Sequence, residues 1–311
     1  MTIAVALALA GCAHPPDLDS RQYEALLRQS ARSLQAHQDA DSLAAAALFS
    51  VRGDPGAAAE LMTRAGSAGP GRPELTILHA WICARAPECD MRPIEARLRA
   101  QEPENGISWL GAVRRAEATA DDAELDKALA ALAGATQARS YWTRLVVRLG
   151  EAARRAAVPA GPDAQAAVAG ELAVVGLPDI SVVSRGCASD RLTRDGVRES
   201  CRRIAATMLT GDTVLVEMIG AAIAMRVWPE GAAEHEAARE ARRVYRYRSE
   251  VLSRALQAEG DEESIAREFA ELAGLHEREQ DLLVAQLERR GIDPMPADDW
   301  RDERPGSRAV Q

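Results

Sequence analysis

Aromatic residues are scarce in this chain of 311 residues, at 4% with two phenylalanines and four tyrosines, and Lys127 is its one lysine. Alternating β-branched stretches are almost absent, the nearest being the short run at 180–184, so there is little from which to build a sheet. No uninterrupted apolar run reaches the roughly 20 residues that cross a bilayer as a helix. Motifs that carry chemistry are missing too. Without GxSxG there is no nucleophile elbow, and without GxxxxGK[ST], or GxGxxG after a strand, a nucleotide cofactor has no cradle. HExxH is absent: His235-Glu236 and His276-Glu277 each lack a second histidine. Glu268, Glu271 and His276 miss the Glu-x-x-His spacing of a di-iron centre, which needs a histidine where Glu271 or Gly274 stands. The five histidines are spread from 14 to 276. Neither catalysis, nor a cofactor, nor a metal is expected.

What is present is alanine, leucine, glutamate and arginine, all strong helix formers, and they dominate nearly every segment. The chain reads as all-α. Alanine and arginine share GC-rich codons, which accounts for the arginine excess without nucleic acid. A net charge of −9 also argues against a nucleic-acid partner, because phosphate binding needs a positive footprint.

Residues 3–10 are apolar throughout, long enough for the hydrophobic region of a signal peptide and too short to span a membrane. The run ends in Leu9-Ala10-Gly11-Cys12, which resembles the lipobox of bacterial lipoproteins. The resemblance implies that 1–11 is a signal peptide and that Cys12 becomes the lipidated N-terminus. It also implies outer-membrane residence facing the periplasm, since Ala13 stands where an Asp would mark inner-membrane retention. Residues 12–19, with Pro15 and Pro16, suit a flexible tether.

Four cysteines remain: Cys83, Cys89, Cys187 and Cys201. An even number in an exported chain reads as disulfides, with three pairings open. The sequence-local one, Cys83 with Cys89 and Cys187 with Cys201, is favoured because Pro87 folds the chain back after Cys83 and because Cys187 lies in a loop, 178–190, just before the helix of Cys201. Zinc is the runner-up, but no CxxC pair is present.

Helical periodicity starts at 20–38 and 41–51. A pattern then repeats, in which a short Ala-rich helix precedes one bearing a tryptophan: 56–65 with 74–84, 93–101 with 107–118, and 123–133 with 139–156. Trp81, Trp109 and Trp142 fall 28 and 33 residues apart, and Trp109-Leu110-Gly111 begins like a tetratricopeptide consensus. This period resembles tetratricopeptide-like helical hairpins of about 34 residues. The resemblance implies an N-terminal α-solenoid over 20–157, with the tryptophans as core.

A hinge at 158–162 leads to a C-terminal helical bundle, 163–292. Its most apolar stretch, TVLVEMIGAAIAMRVW, is interrupted by Glu217 and Arg226, so it reads as a buried bundle helix. Glu217 there either pairs with an arginine at a partly exposed face or lines a cavity between helices. Two long amphipathic helices follow, 232–257 and 262–290, and 293–311 reads as a mostly disordered tail. Three functions are consistent with these features. The first is a periplasmic scaffold or adaptor binding a protein or peptide in a solenoid groove. The others are a small-ligand carrier or envelope enzyme using a cavity near Glu217, and a purely structural envelope protein.

Overall fold

Six of the fifteen helices among the described residues start at a side chain that caps them. The structure, a computed structural model, describes residues 20–158, 164–175 and 180–301. Cys12, expected to carry lipid, the expected signal peptide and tether, residues 159–162 of the expected hinge and residues 302–311 of the expected tail lie outside these. Fifteen α-helices and no strand are found among the described residues, so the chain is all-α.

In order they are α1 (Ser20–Gln35), α2 (Ala40–Ser50), α3 (Pro55–Ala68), α4 (Pro73–Cys83), α5 (Met91–Gln101), α6 (Leu110–Ala118), α7 (Asp122–Ala133) and α8 (Trp142–Arg155). Then follow α9 (Ala164–Val175), α10 (Ile180–Gly186), α11 (Val197–Met208), α12 (Val214–Val227), α13 (Ala233–Glu259), α14 (Glu262–Ala273) and α15 (Glu279–Arg289). The carboxylates of Asp39, Asp54, Asp90, Asp121 and Asp261 accept backbone N–H groups at the starts of α2, α3, α5, α7 and α14, satisfying donors that a helix leaves orphaned.

Consecutive helices pack as hairpins from α1 to α5 and again at α6 and α7, but the arrangement departs from an open solenoid. In a solenoid each repeat touches only its neighbours. Here α2 is surrounded by α1, α3, α4, α8 and α9. Its sequence explains why: Ala44, Ala45, Ala46 and Ala47 are all fully buried, so no face is left for solvent. One glutamate of α9 fastens this centre, as Glu171 accepts from Tyr23 Oη at 3.0 Å and from Arg52 Nε at 2.7 Å.

One apolar cluster runs from Tyr23 to Leu282, through both halves of the chain. Trp142 of α8 meets Phe269 of α14 edge to face, centroids 6.2 Å apart. A smaller cluster, including Val214, Leu252, Ile265 and Leu287, joins α12 to α15. Trp81 and Trp142 are buried, while the half-buried Trp109 ends a short 3-10 turn and lies under Arg99, 5.2 Å from the ring centroid. Gly111 has a local reason: a Cβ there would stand 2.0 Å from Glu95 Oε1.

Two expectations are corrected. The segment around Cys187 is not all loop: residues 180–186 form α10, with Cys187 directly after it. The single helix expected over 262–290 is two, because the chain leaves the helix at Gly274, a poor helix former, and re-enters at Arg278. The intervening connection, 274–278, forms one wall of the site described next.

Candidate functional site

The site is organised by the residues that begin α12. Thr213 caps the helix, its hydroxyl accepting from Val216 N–H at 3.4 Å. The Val214 N–H donates instead to Glu279 Oε2, at 2.9 Å, a carboxylate from the first turn of α15. Asp212 ties three segments together. Its carboxylate accepts from Ser140 N–H at 2.8 Å and Tyr141 N–H at 2.6 Å, and also from the Ser140 hydroxyl. Its own carbonyl accepts from Glu279 N–H at 2.9 Å. Tyr141, immediately before α8, is left-handed with φ 59°, a conformation unfavourable for a bulky side chain and pinned by the Asp212 bond.

Glu217, one turn into α12, is 8% exposed and accepts from Arg278 Nη2 at 2.5 Å. Arg278 also donates through Nε to the Gly211 carbonyl. Burial pushes all three carboxyls up. For Asp212 and Glu217 the hydrogen bonds they accept pull in the opposite direction. For Glu279 the value is pushed up to about 7, by burial first and by the charges of Asp212 and Glu217, against the Val214 bond. Among the described residues no group of three histidine, cysteine or acidic side chains is placed to hold a metal ion.

In front of this acidic support lies a cleft of about 490 Å³, within the 300–1,000 Å³ usual for ligand sites. Arg139, Tyr141, Arg144 and Arg148 line one wall, and Ala273, Leu275, His276 and Arg278 the other. Leu275 is 71% exposed. Arg144 stacks on Tyr141, 5.0 Å from the ring centroid, and meets Glu277 at 3.3 Å. Arg148 approaches Asp41 at 3.8 Å. A hollow between α4, α5 and α6, beside Trp81 and Glu95, holds only about 50 Å³.

The sequence-predicted residues fall in separate places. Cys83 and Cys89 are bonded, Cα atoms 5.3 Å apart, and Cys187 and Cys201 likewise at 5.8 Å. Both bridges stand away from the cleft lining. Glu217 pairs with an arginine, as the first of its two readings has it; Glu217 itself is not among the residues lining the cleft, whose wall its partner Arg278 joins. The four cleft arginines and Leu275 are not singled out by sequence. The one available signal is Gly274, a poor helix former within an apolar periodicity that runs on past it.

No protein-family model, curated protein or solved structure matches the chain.

Proposed function

We propose that the protein is a non-catalytic adaptor of the bacterial envelope, anchored to the outer membrane through lipid on Cys12 and facing the periplasm, which binds a protein or peptide partner. The observation that carries the reading is the cleft between residues 139–148 and 273–278, lined by four arginines and an exposed leucine. An open concavity with cationic and apolar walls is a recognition surface. The two disulfides are in keeping with an oxidising compartment.

The test is crosslinking in intact cells from a photoreactive residue placed at 139 or 275, followed by mass spectrometry. A Cys12→Ala variant serves as the anchoring control. One envelope protein captured from both positions, and lost in the control, is the expected result. Absence of any adduct above that of a photoreactive residue at 127, on the exposed face of α7, would overturn the reading.

A second reading is a carrier of small anions, favoured by the Glu217–Arg278 pair, which holds one cation fixed at the cleft wall. It predicts saturable binding of inorganic phosphate or a small dicarboxylate to the purified protein, with no crosslinked partner.

A further inference from the structure

The spacing of the cleft's cations narrows its occupant, an inference that rests on the adaptor reading. Arg144 and Arg148 stand one turn apart on α8, about 6 Å along the axis. In an extended peptide, side chains two residues apart share a face and lie about 6.6 Å apart. The two intervals match, whereas a single small anion is best held by guanidinium groups that converge on one point. Arg139, exposed and in no ion pair among the described residues, lines the same cleft from just before the start of α8. Arg278 faces it from the other wall.

The acids near the cleft leave this row largely open: Asp41 approaches Arg148 only at 3.8 Å and is held more closely by Arg72, at 2.6 Å. The Asp212 oxygens are occupied by Ser140 and Tyr141. The Glu277 side chain is 80% exposed where it meets Arg144, and such solvent-screened surface pairs contribute little. A ligand carboxylate, able to bind a guanidinium through two parallel bonds, displaces it at little cost. An extended chain laid along the row turns every second side chain to the opposite wall, where Leu275 and Ala273 are apolar.

We infer that the cleft binds an extended acidic peptide segment, its alternate carboxylates on Arg139, Arg144 and Arg148 and its intervening apolar side chain on Leu275.

Fluorescence anisotropy on the full-length protein tests this, with a labelled peptide of alternating glutamate and leucine and a second in which every glutamate is glutamine. The acidic peptide should bind at least tenfold more tightly than the amide peptide, and its affinity should fall with added salt. An Arg144→Gln/Arg148→Gln variant, checked for native circular dichroism, should lose at least tenfold. Lys127→Gln, on the exposed face of α7, should lose nothing. Equal binding of the two peptides, or equal losses in both variants, overturns the inference. Competition by inorganic phosphate as effective as by unlabelled peptide overturns it in favour of a small anion. No peptide binding alongside a crosslinked partner in cells removes the acidic-peptide class and leaves the adaptor; no peptide binding and no adduct removes both.

Discussion

Arg278, at the end of the 274–278 connection, donates to Glu217 on α12 at 2.5 Å, so the position of one cleft wall depends on a carboxylate that is itself nearly buried. The two partners are not equivalent, since the arginine side chain is 45% exposed and the glutamate 10%.

Arg278→Ala therefore strands an anion, whereas Glu217→Gln keeps an acceptor and releases an arginine into water. Removing one member of a fully buried pair costs about 3–5 kcal/mol. With the arginine half-exposed, the expected loss is about 2 kcal/mol for Arg278→Ala and about 1 kcal/mol or less for Glu217→Gln. Urea unfolding measures both. The Arg278→Ala penalty should also shrink as pH falls and Glu217, whose carboxyl burial raises above its ordinary value, takes up a proton. Equal penalties at all pH values would contradict the asymmetry.

Glu279 sets a pH dependence of opposite sign to the usual one for a carboxylate. Its carboxyl is raised from the ordinary 4.5 to about 7 by burial, aided by Asp212 and Glu217. Between those values the folded chain keeps a proton that the unfolded chain releases. Stability is then greatest below the unfolded value and declines as pH rises to about 7, by about 3 kcal/mol in all. Asp212 and Glu217 act in the same direction. His79, pushed down to about 4 by burial and by Arg97, acts oppositely as pH rises from there to its ordinary 6.5. Comparing Glu279→Gln with the parent at pH 5 and pH 8 isolates the effect: the variant should gain on the parent at the higher pH. Parallel profiles would rule out Glu279 as the source.

Asp212→Ala should unfix the start of α8. The substitution orphans the N–H groups of Ser140 and Tyr141, and Tyr141 loses the bond that holds it left-handed. A loss of about 2–3 kcal/mol is expected, with Asp212→Asn recovering about half because one oxygen still accepts. Chemical denaturation of the pair decides it; an Asn variant no better than Ala would point to charge as the dominant factor.

The disulfides should differ in worth according to the loops they close. The Cys187–Cys201 bridge spans 14 residues and Cys83–Cys89 only 6, so loop-closure entropy assigns about 3 and about 2 kcal/mol respectively. Paired serine variants, compared by thermal unfolding, should rank in that order.

Residue composition made the helical class readable, and cysteine parity with local spacing led to both bridges. Glu217 stood out as a carboxylate within an apolar run. Its partner did not, because Arg278 is 61 residues away in sequence and lies in a connection hidden by periodicity. The apolar positions 265, 269, 272 and 275 continue a helical stripe, which places Leu275 inward, yet Gly274 ends the helix and leaves it 71% exposed. The cleft arises from segments 139–148 and 273–278, and no local pattern encodes their meeting. The open stack of hairpins was suggested by the tryptophan interval; the all-round burial of α2 was written in its alanines, but which helices would cover them was not.

That central alanine helix also constrains the order in which the molecule can assemble. Residues 40–50 emerge early from synthesis, yet two of the five surfaces that cover them, α8 and α9, lie at 142–155 and 164–175. Until those arrive, the N-terminal hairpins hold an uncovered apolar stripe, a state prone to self-association. Late closure over long sequence separation slows folding, so a chain stopped before residue 175 would be a client for chaperones rather than a smaller stable domain.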